Sequence, residues 1–119
     1  GGNPLACAAS KAALQTIIDE NIADQATEKG NYFVEKVRDI AKGWDAIREV
    51  RGLGLMIGVD LNFKGSKVVE HMMDKGVLAN CTSDTVIRLV PPLIISKEEL
   101  DTVIDVLVES IKEVEKDHE

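Results

Sequence analysis

Aromatic residues make up only 3% of the 119-residue chain. Any core must therefore be built from Leu, Ile, Val, Ala and Met. Positive charge is short as well: 14 Lys and Arg stand against 21 Asp and Glu, for a formal net charge of −7. No basic cluster with interleaved aromatics occurs. Nucleic-acid backbones and anionic membrane surfaces call for the opposite electrostatics, so neither is expected as a partner. Cysteine is limited to Cys7 and Cys81, without CxxC or Cys/His ligand spacing. Two free thiols in a reducing cytoplasm are expected, rather than a disulfide or a metal site. The longest apolar runs fall far short of the roughly 20 residues of a membrane span, and no signal peptide is visible. An initiator Met is missing too, and the opening Gly1-Gly2-Asn3-Pro4 points to a processed or excised piece, or to a cloning scar at the two glycines.

What is present fits one soluble globular domain: 45% hydrophobic and 29% charged residues, in a chain long enough to bury a core. Asn3-Pro4 reads as a helix start, a capping side chain followed by a proline whose missing N–H does no harm. The helix that follows is rich in alanine (Ala6, Ala8, Ala9, Ala12, Ala13), as close backbone contact on several sides would require. Asn21 is expected to break it, and a second helix carries Phe33, Val37, Ile40 and Ala41 at helical spacing. After Gly43 the period changes. Residues 47–50 read as a short strand; Leu55, Ile57, Val59 and Leu61 then alternate with Met56, Gly58 and Asp60, the pattern of a half-buried strand.

Residues 66–75 read as a short helix with Val68, Val69, Met72 and Met73 inward, stopped by Gly76. Residues 77–80 are expected to form a strand, Cys81 to Asp84 a polar loop, and residues 86–90 another strand closed by Pro91-Pro92. Ser96 and Glu99 form a capping box. Leu100, Val103, Ile104, Leu107, Val108 and Ile111 then make one apolar stripe. The expected order is α-α-β-β-α-β-β-α, with helices over residues 3–42 and a sheet with further helices over 46–117. The expected fold class is α/β: a two-layer α/β sandwich, a small, mainly antiparallel sheet of about four strands covered by helices on one face. The other face must meet solvent or another surface.

Arg88 is the first candidate for chemistry. In Val86-Ile87-Arg88-Leu89-Val90 it shares a face with Val86 and Val90, opposite Ile87 and Leu89. A guanidinium inside an apolar strand is costly to desolvate unless an anion meets it. That anion is either an acidic side chain of the same domain or a ligand carboxylate held bidentately; local chemistry leaves the two level. The Arg51-Gly52-Leu53-Gly54 run is not a dinucleotide fingerprint, because the third glycine is absent and a strand follows where a helix should begin. Its glycines are expected to give a bend or a close backbone approach. His71 and His118 read as solvated or packed residues, Met56, Met72 and Met73 as core filler, and the acidic run Glu109, Glu113, Glu115, Asp117, Glu119 as a solvated helix face. None of the ten lysines sits in a segment that would make a desolvated Schiff-base site.

Three stretches in register resemble the class III aminotransferases, the fold-type I family that depends on pyridoxal 5'-phosphate. Gly1-Gly2-Asn3-Pro4-Leu5-Ala6-Cys7-Ala8-Ala9 resembles that family's GGNPLACAA segment. Arg51-Gly52-Leu53-Gly54-Leu55-Met56-Ile57-Gly58 resembles its RGxGLMxG strand pair. Arg88-Leu89-Val90-Pro91-Pro92-Leu93 is similar to its R-x-x-PPL ending. Leu5-Ala6-Cys7 and the stretch from Asn80 to Pro92 are most similar to members acting on N2-acetylornithine, ahead of those acting on ornithine or 4-aminobutyrate. The resemblance implies that residues 1–119 are a C-terminal small domain. Its own large domain, N-terminal to it, would carry the cofactor lysine and the aspartate that pairs with the pyridinium nitrogen, and a second subunit would complete a homodimer. It also implies that Arg88 binds the carboxylate of small amino and keto acids and that Gly1, Gly2 and Asn3 shape the phosphate side of the cofactor. No catalytic residue falls within the chain, which alone is expected to be inactive. The competing expectation is a free-standing α/β module that binds a carboxylate or serves as an interaction domain.

Overall fold

A computed structural model describes the backbone of residues 12–117 and the side-chain surroundings of residues 23–117. The Asn3-Pro4 helix start and the alanines at 6, 8 and 9 lie outside the described residues. The elements run α1 (Ala12–Ala41), β1 (Ile47–Leu53), β2 (Met56–Leu61), α2 (Ser66–Asp74), β3 (Asn80–Thr82), β4 (Val86–Leu89) and α3 (Lys97–Asp117). The four strands form one sheet in the order β1-β2-β4-β3, antiparallel at every pairing. The two-layer sandwich expected from the periodicity is therefore the fold. Two helices expected at the start are one: α1 passes through Asn21 without a break. Asparagine disfavours a helix interior by only a few tenths of a kcal/mol, which the docking of the later turns against β1 and α3 outweighs.

The core lies between the sheet and the helices. Ile57, Val59 and Leu61 of β2 and Ile87 and Leu89 of β4 face Phe33, Val34 and Val37 of α1, Val68 and Met72 of α2, and Leu100, Ile104, Leu107, Ile111 and Val114 of α3. Burying each such side chain stabilises the fold by about 1.5–3 kcal/mol relative to exposure. In β1 both Ile47 and Val50 are buried, a spacing that strict alternation forbids. The pairing explains it: Ile47 faces Leu61 and Glu49 faces Asp60, so Arg48 is an extra residue in a β-bulge. Beyond the bulge, Glu49, Arg51 and Leu53 point away from the helices.

Two helix ends are formed as the sequence pattern predicts. Gly76 (φ +89) closes α2 in a Schellman motif: its N–H donates to Met73 O, and the Val77 N–H donates to Met72 O, both at 2.9 Å. At α3 the Ser96 N–H donates to Glu99 Oε1 at 2.9 Å, while the Glu99 N–H donates to Ser96 Oγ at 3.0 Å.

Other expectations need correcting. The third strand is displaced toward the C-terminus, over Asn80–Thr82 rather than 77–80. Pairing with β4 across a tight turn fixes its position, with Ser83 (φ 50) and Asp84 (φ 65) both in the left-handed region. Met56 and Met73 are not core filler but about half exposed, whereas Met72 is fully buried. Met56 shares the outward face of β2 with Gly58 and Asp60, and Met73 lies one step of about 100° around α2 from Met72. The acidic face of α3 is not simply solvated. Glu113 Oε1 accepts from Lys75 Nζ at 2.7 Å and lies 2.9 Å from His71 Nδ1, tying α2 to α3, and Glu115 accepts from Trp44 Nε1 at 2.9 Å.

Candidate functional site

The sheet face turned away from the helices carries the candidate site. Antiparallel register sets Arg51 of β1 opposite Gly58 of β2, Gly58 opposite Arg88 of β4, and Arg88 opposite Asn80 of β3. These four residues form one row across the sheet. With strands roughly 4.8 Å apart, the α-carbons of Arg51 and Arg88 lie about 10 Å from one another, with the bare backbone of Gly58 between them. A depression of about 430 Å³ lies over this row, lined by both arginines, Gly58 and the apolar side chains of Leu53, Met56 and Val86.

The charges on this face are unevenly matched. Glu49 pairs with Arg51 (Oε2 to Nε, 3.3 Å). Asp60 accepts from the Thr85 hydroxyl at 2.8 Å and from Arg48 at 3.2 Å. The Thr85 hydrogen bond, followed by Arg48, holds the Asp60 carboxyl below the ordinary carboxylate range, against the opposing effect of desolvation. Both acids near the row thus have an arginine of their own. Arg88 has none: its side chain is exposed and makes no hydrogen bond or ion pair among the described residues. Of the two anions left open by local chemistry, the acidic partner within the domain is not present there. The exposure also corrects the reasoning from desolvation, since within this chain Arg88 remains hydrated. Its face is the expected one, opposite the buried Ile87 and Leu89.

A hydrated, uncompensated guanidinium beside apolar side chains can accept a carboxylate in a two-pronged hydrogen bond. It cannot form a covalent link. No described lysine lines the depression; the described lysines are engaged elsewhere or lie at the surface, as with Lys36 on Asp101 and Lys75 on Glu113. The described residues therefore suit a carboxylate anchor and not the attachment point of an aldehyde cofactor. Among them no group of three His, Cys, Asp or Glu residues suits a metal ion, and no helix is long and apolar enough to cross a membrane. Cys81 is a free, half-buried thiol, whereas Cys7, Gly1, Gly2 and Asn3 lie outside the described residues.

Sequence reading singled out Arg88 but missed Arg51 and Gly58 as its neighbours, because the β1–β2 hairpin register and the β2–β4 pairing bring them into one row. The expected close approach of the glycine run is present. Gly54 (φ +59) turns the β1–β2 hairpin, and its carbonyl lies where a β-carbon on Gly30 of α1 would be, 1.9 Å from that position.

Residues 1–111 match the profile of aminotransferase class III. The chain belongs to that family. It is 48% identical over 116 residues to the acetylornithine aminotransferase of Methanocaldococcus jannaschii, a match covering 98% of this chain and 29% of the relative. It is 51% identical over 105 residues to the ornithine aminotransferase of a Geobacillus species, covering 88% and 26% respectively. Among solved structures, the acetylornithine aminotransferase of Elizabethkingia anophelis superposes with a TM-score of 0.73 at 30% identity, over 86% of this chain and 27% of that one. The ornithine aminotransferase of Toxoplasma gondii, whose active site holds pyridoxal phosphate at partial occupancy, gives 0.75 at 31% identity over 88% and 26%. The chain thus spans about 26–29% of the length of these curated relatives. The class III resemblance and the fold it implies are both borne out.

Proposed function

We propose that residues 1–119 are the C-terminal small domain of a cytoplasmic, homodimeric, pyridoxal-phosphate-dependent aminotransferase. The reaction is transfer of the 5-amino group of N2-acetyl-L-ornithine to 2-oxoglutarate, a step of arginine biosynthesis. One observation carries the reading: in a class III chain, Arg88 stands on the sheet face turned away from the described helices, with no acidic partner among the described residues. The near-complete match to an acetylornithine enzyme, over 98% of this chain against 88% for the ornithine enzyme, favours the acetylated donor. Large domain and second subunit close over the face that carries Arg88, and Gly1, Gly2 and Asn3 lie near the cofactor phosphate.

In this scheme Arg88 does not touch the bond being made or broken. Its two-pronged grip on a substrate carboxylate fixes the reacting carbon relative to the cofactor and removes rotational freedom before the chemical step. Pyridoxal phosphate, held by the large domain, supplies the electron sink. Because the described residues offer no amine in the site, the chain alone is inactive. Reduction with borohydride in the presence of pyridoxal phosphate should leave it without a uniquely labelled lysine; one stoichiometric label would overturn this.

The test of Arg88 uses the whole enzyme that contains this segment. Arg88→Lys keeps the charge but loses the fork, at a cost of about 2–3 kcal/mol. The expected result is a fall in kcat/KM for 2-oxoglutarate of roughly 30- to 160-fold. An unchanged value removes Arg88 from the site. Comparing kcat/KM for N2-acetylornithine, ornithine and 4-aminobutyrate tests the donor, and a preference for either of the last two overturns that choice.

A further inference from the structure

Seven glycines lie among the described residues, and six of them have a reason within the chain for lacking a side chain. A β-carbon at Gly30, Gly52 or Gly65 would come within 3.0 Å of another atom, and Gly43, Gly54 and Gly76 have positive φ. Gly58 has neither reason. A β-carbon there would meet only Val86 Cγ1 at 3.5 Å, an ordinary contact, and the backbone is extended. Yet β2 is flanked on both sides by hydrogen-bonded strands, the setting in which glycine weakens a sheet most and β-branched residues favour it. Nothing in the described chain offsets that weakness. What is particular to Gly58 is its place: in register with Arg51 and Arg88, at the floor of the depression, on the face turned away from the described helices.

We infer that Gly58 is a specificity-determining position, its missing side chain being the clearance over which the carbon chain of a carboxylate held by Arg88 lies. The inference rests on the proposed role of Arg88 and adds the shape of the space beside it. A side chain at position 58 would rise from the same face as Arg88, about 5 Å from its strand, and would narrow the gap between the two guanidiniums. The ligand class is a short keto or amino acid carrying two carboxylates, such as 2-oxoglutarate. Its first carboxylate sits on Arg88, and its methylene carbons cross the sheet above Gly58, where no side chain blocks them.

The test compares Gly58→Ala, Gly58→Val and Arg88→Lys in the whole enzyme, measuring KM for 2-oxoglutarate, kcat and melting temperature. Gly58→Val should raise KM tenfold or more and Gly58→Ala by less, in order of side-chain volume. The melting temperature should hold or rise, because both residues favour strand or rigid backbone more than glycine does. A structural glycine would behave in the opposite way, losing melting temperature and keeping KM. That outcome overturns the inference and shows that another protein surface packs on Gly58. If Gly58→Val lowers both stability and affinity, Gly58→Ala decides: a raised KM at unchanged melting temperature supports the clearance, and an unchanged KM sinks it. If Arg88→Lys raises KM while neither glycine variant does, the inference falls alone. If Arg88→Lys leaves KM unchanged, the role of Arg88 falls and the clearance with it.

Discussion

Replacing Gly30 with alanine sets two effects against one another, and the contact between α1 and the β1–β2 turn decides the sign. Glycine within a helix is about 1 kcal/mol less favourable than alanine, so propensity alone makes Gly30→Ala stabilising. The added β-carbon, however, would lie 1.9 Å from Gly54 O and 2.6 Å from Gly54 C, where carbon–oxygen contacts normally stay beyond about 3.2 Å. Both obstacles are backbone, and Gly54 is held at φ +59 by the turn, so no rotamer change relieves the overlap. The helix and hairpin must separate by more than about 1 Å, which loosens Val34 against Gly52 as well. Overpacking of this kind costs up to about 3 kcal/mol. Set against the 1 kcal/mol of propensity, the net loss is about 2 kcal/mol, or about 8 °C in melting temperature at roughly 4 °C per kcal/mol. Urea unfolding followed by far-UV circular dichroism should show a lower midpoint with an unchanged slope. Asn31→Ala, at the exposed neighbouring position, should instead gain a few tenths of a kcal/mol. If Gly30→Ala proves as stable as the parent or more so, α1 does not lie against the Gly54 turn.

Ser96→Ala removes the acceptor for the Glu99 N–H and should cost about 1 kcal/mol, read from the same urea curves; no loss would mean that water caps α3 equally well. Acid should weaken the helix contacts. Hydrogen bonding to Lys36 holds Asp101 below the ordinary carboxylate range, helped by Tyr32, and hydrogen bonding to Lys75 does the same for Glu113. A carboxylate whose folded-state pKa is depressed contributes stability above its unfolded value near 4, and that contribution disappears as pH falls through the folded value. Stability should therefore decline below about pH 4, and Lys36→Ala should flatten part of that decline; superimposable profiles for parent and variant would rule out the Lys36–Asp101 contribution.

Where the sequence pattern depended on local chemistry, it was legible. The Ser96/Glu99 box, the glycine stop at Gly76 and the period-2 run from Leu55 to Leu61 are each fixed by residues within a few positions, so backbone geometry and capping preferences suffice to read them. The class III motifs were legible for the same reason, as short strings in fixed order. Asn21 does not end α1 because its propensity penalty is modest and the docking of the later turns overrides it. The stretch from Val77 to Thr82 misled because Val77 and Ala79 pack on the core without joining a ladder, while Cys81 and Thr82 become strand only through their pairing with Ile87 and Val86.

The sequence by itself determined the two-layer architecture, the family and the face on which Arg88 points, since alternation and helical periodicity are properties of one segment at a time. Tertiary structure alone decided which residues stand beside Arg88. The β2–β4 pairing puts Gly58, and through the β1–β2 hairpin Arg51, in its row, while Glu49 pairs with Arg51 and Asp60 with the bulged Arg48. Those relations join segments as far apart as β1 and β4, and distance along a chain carries no record of which strands will meet.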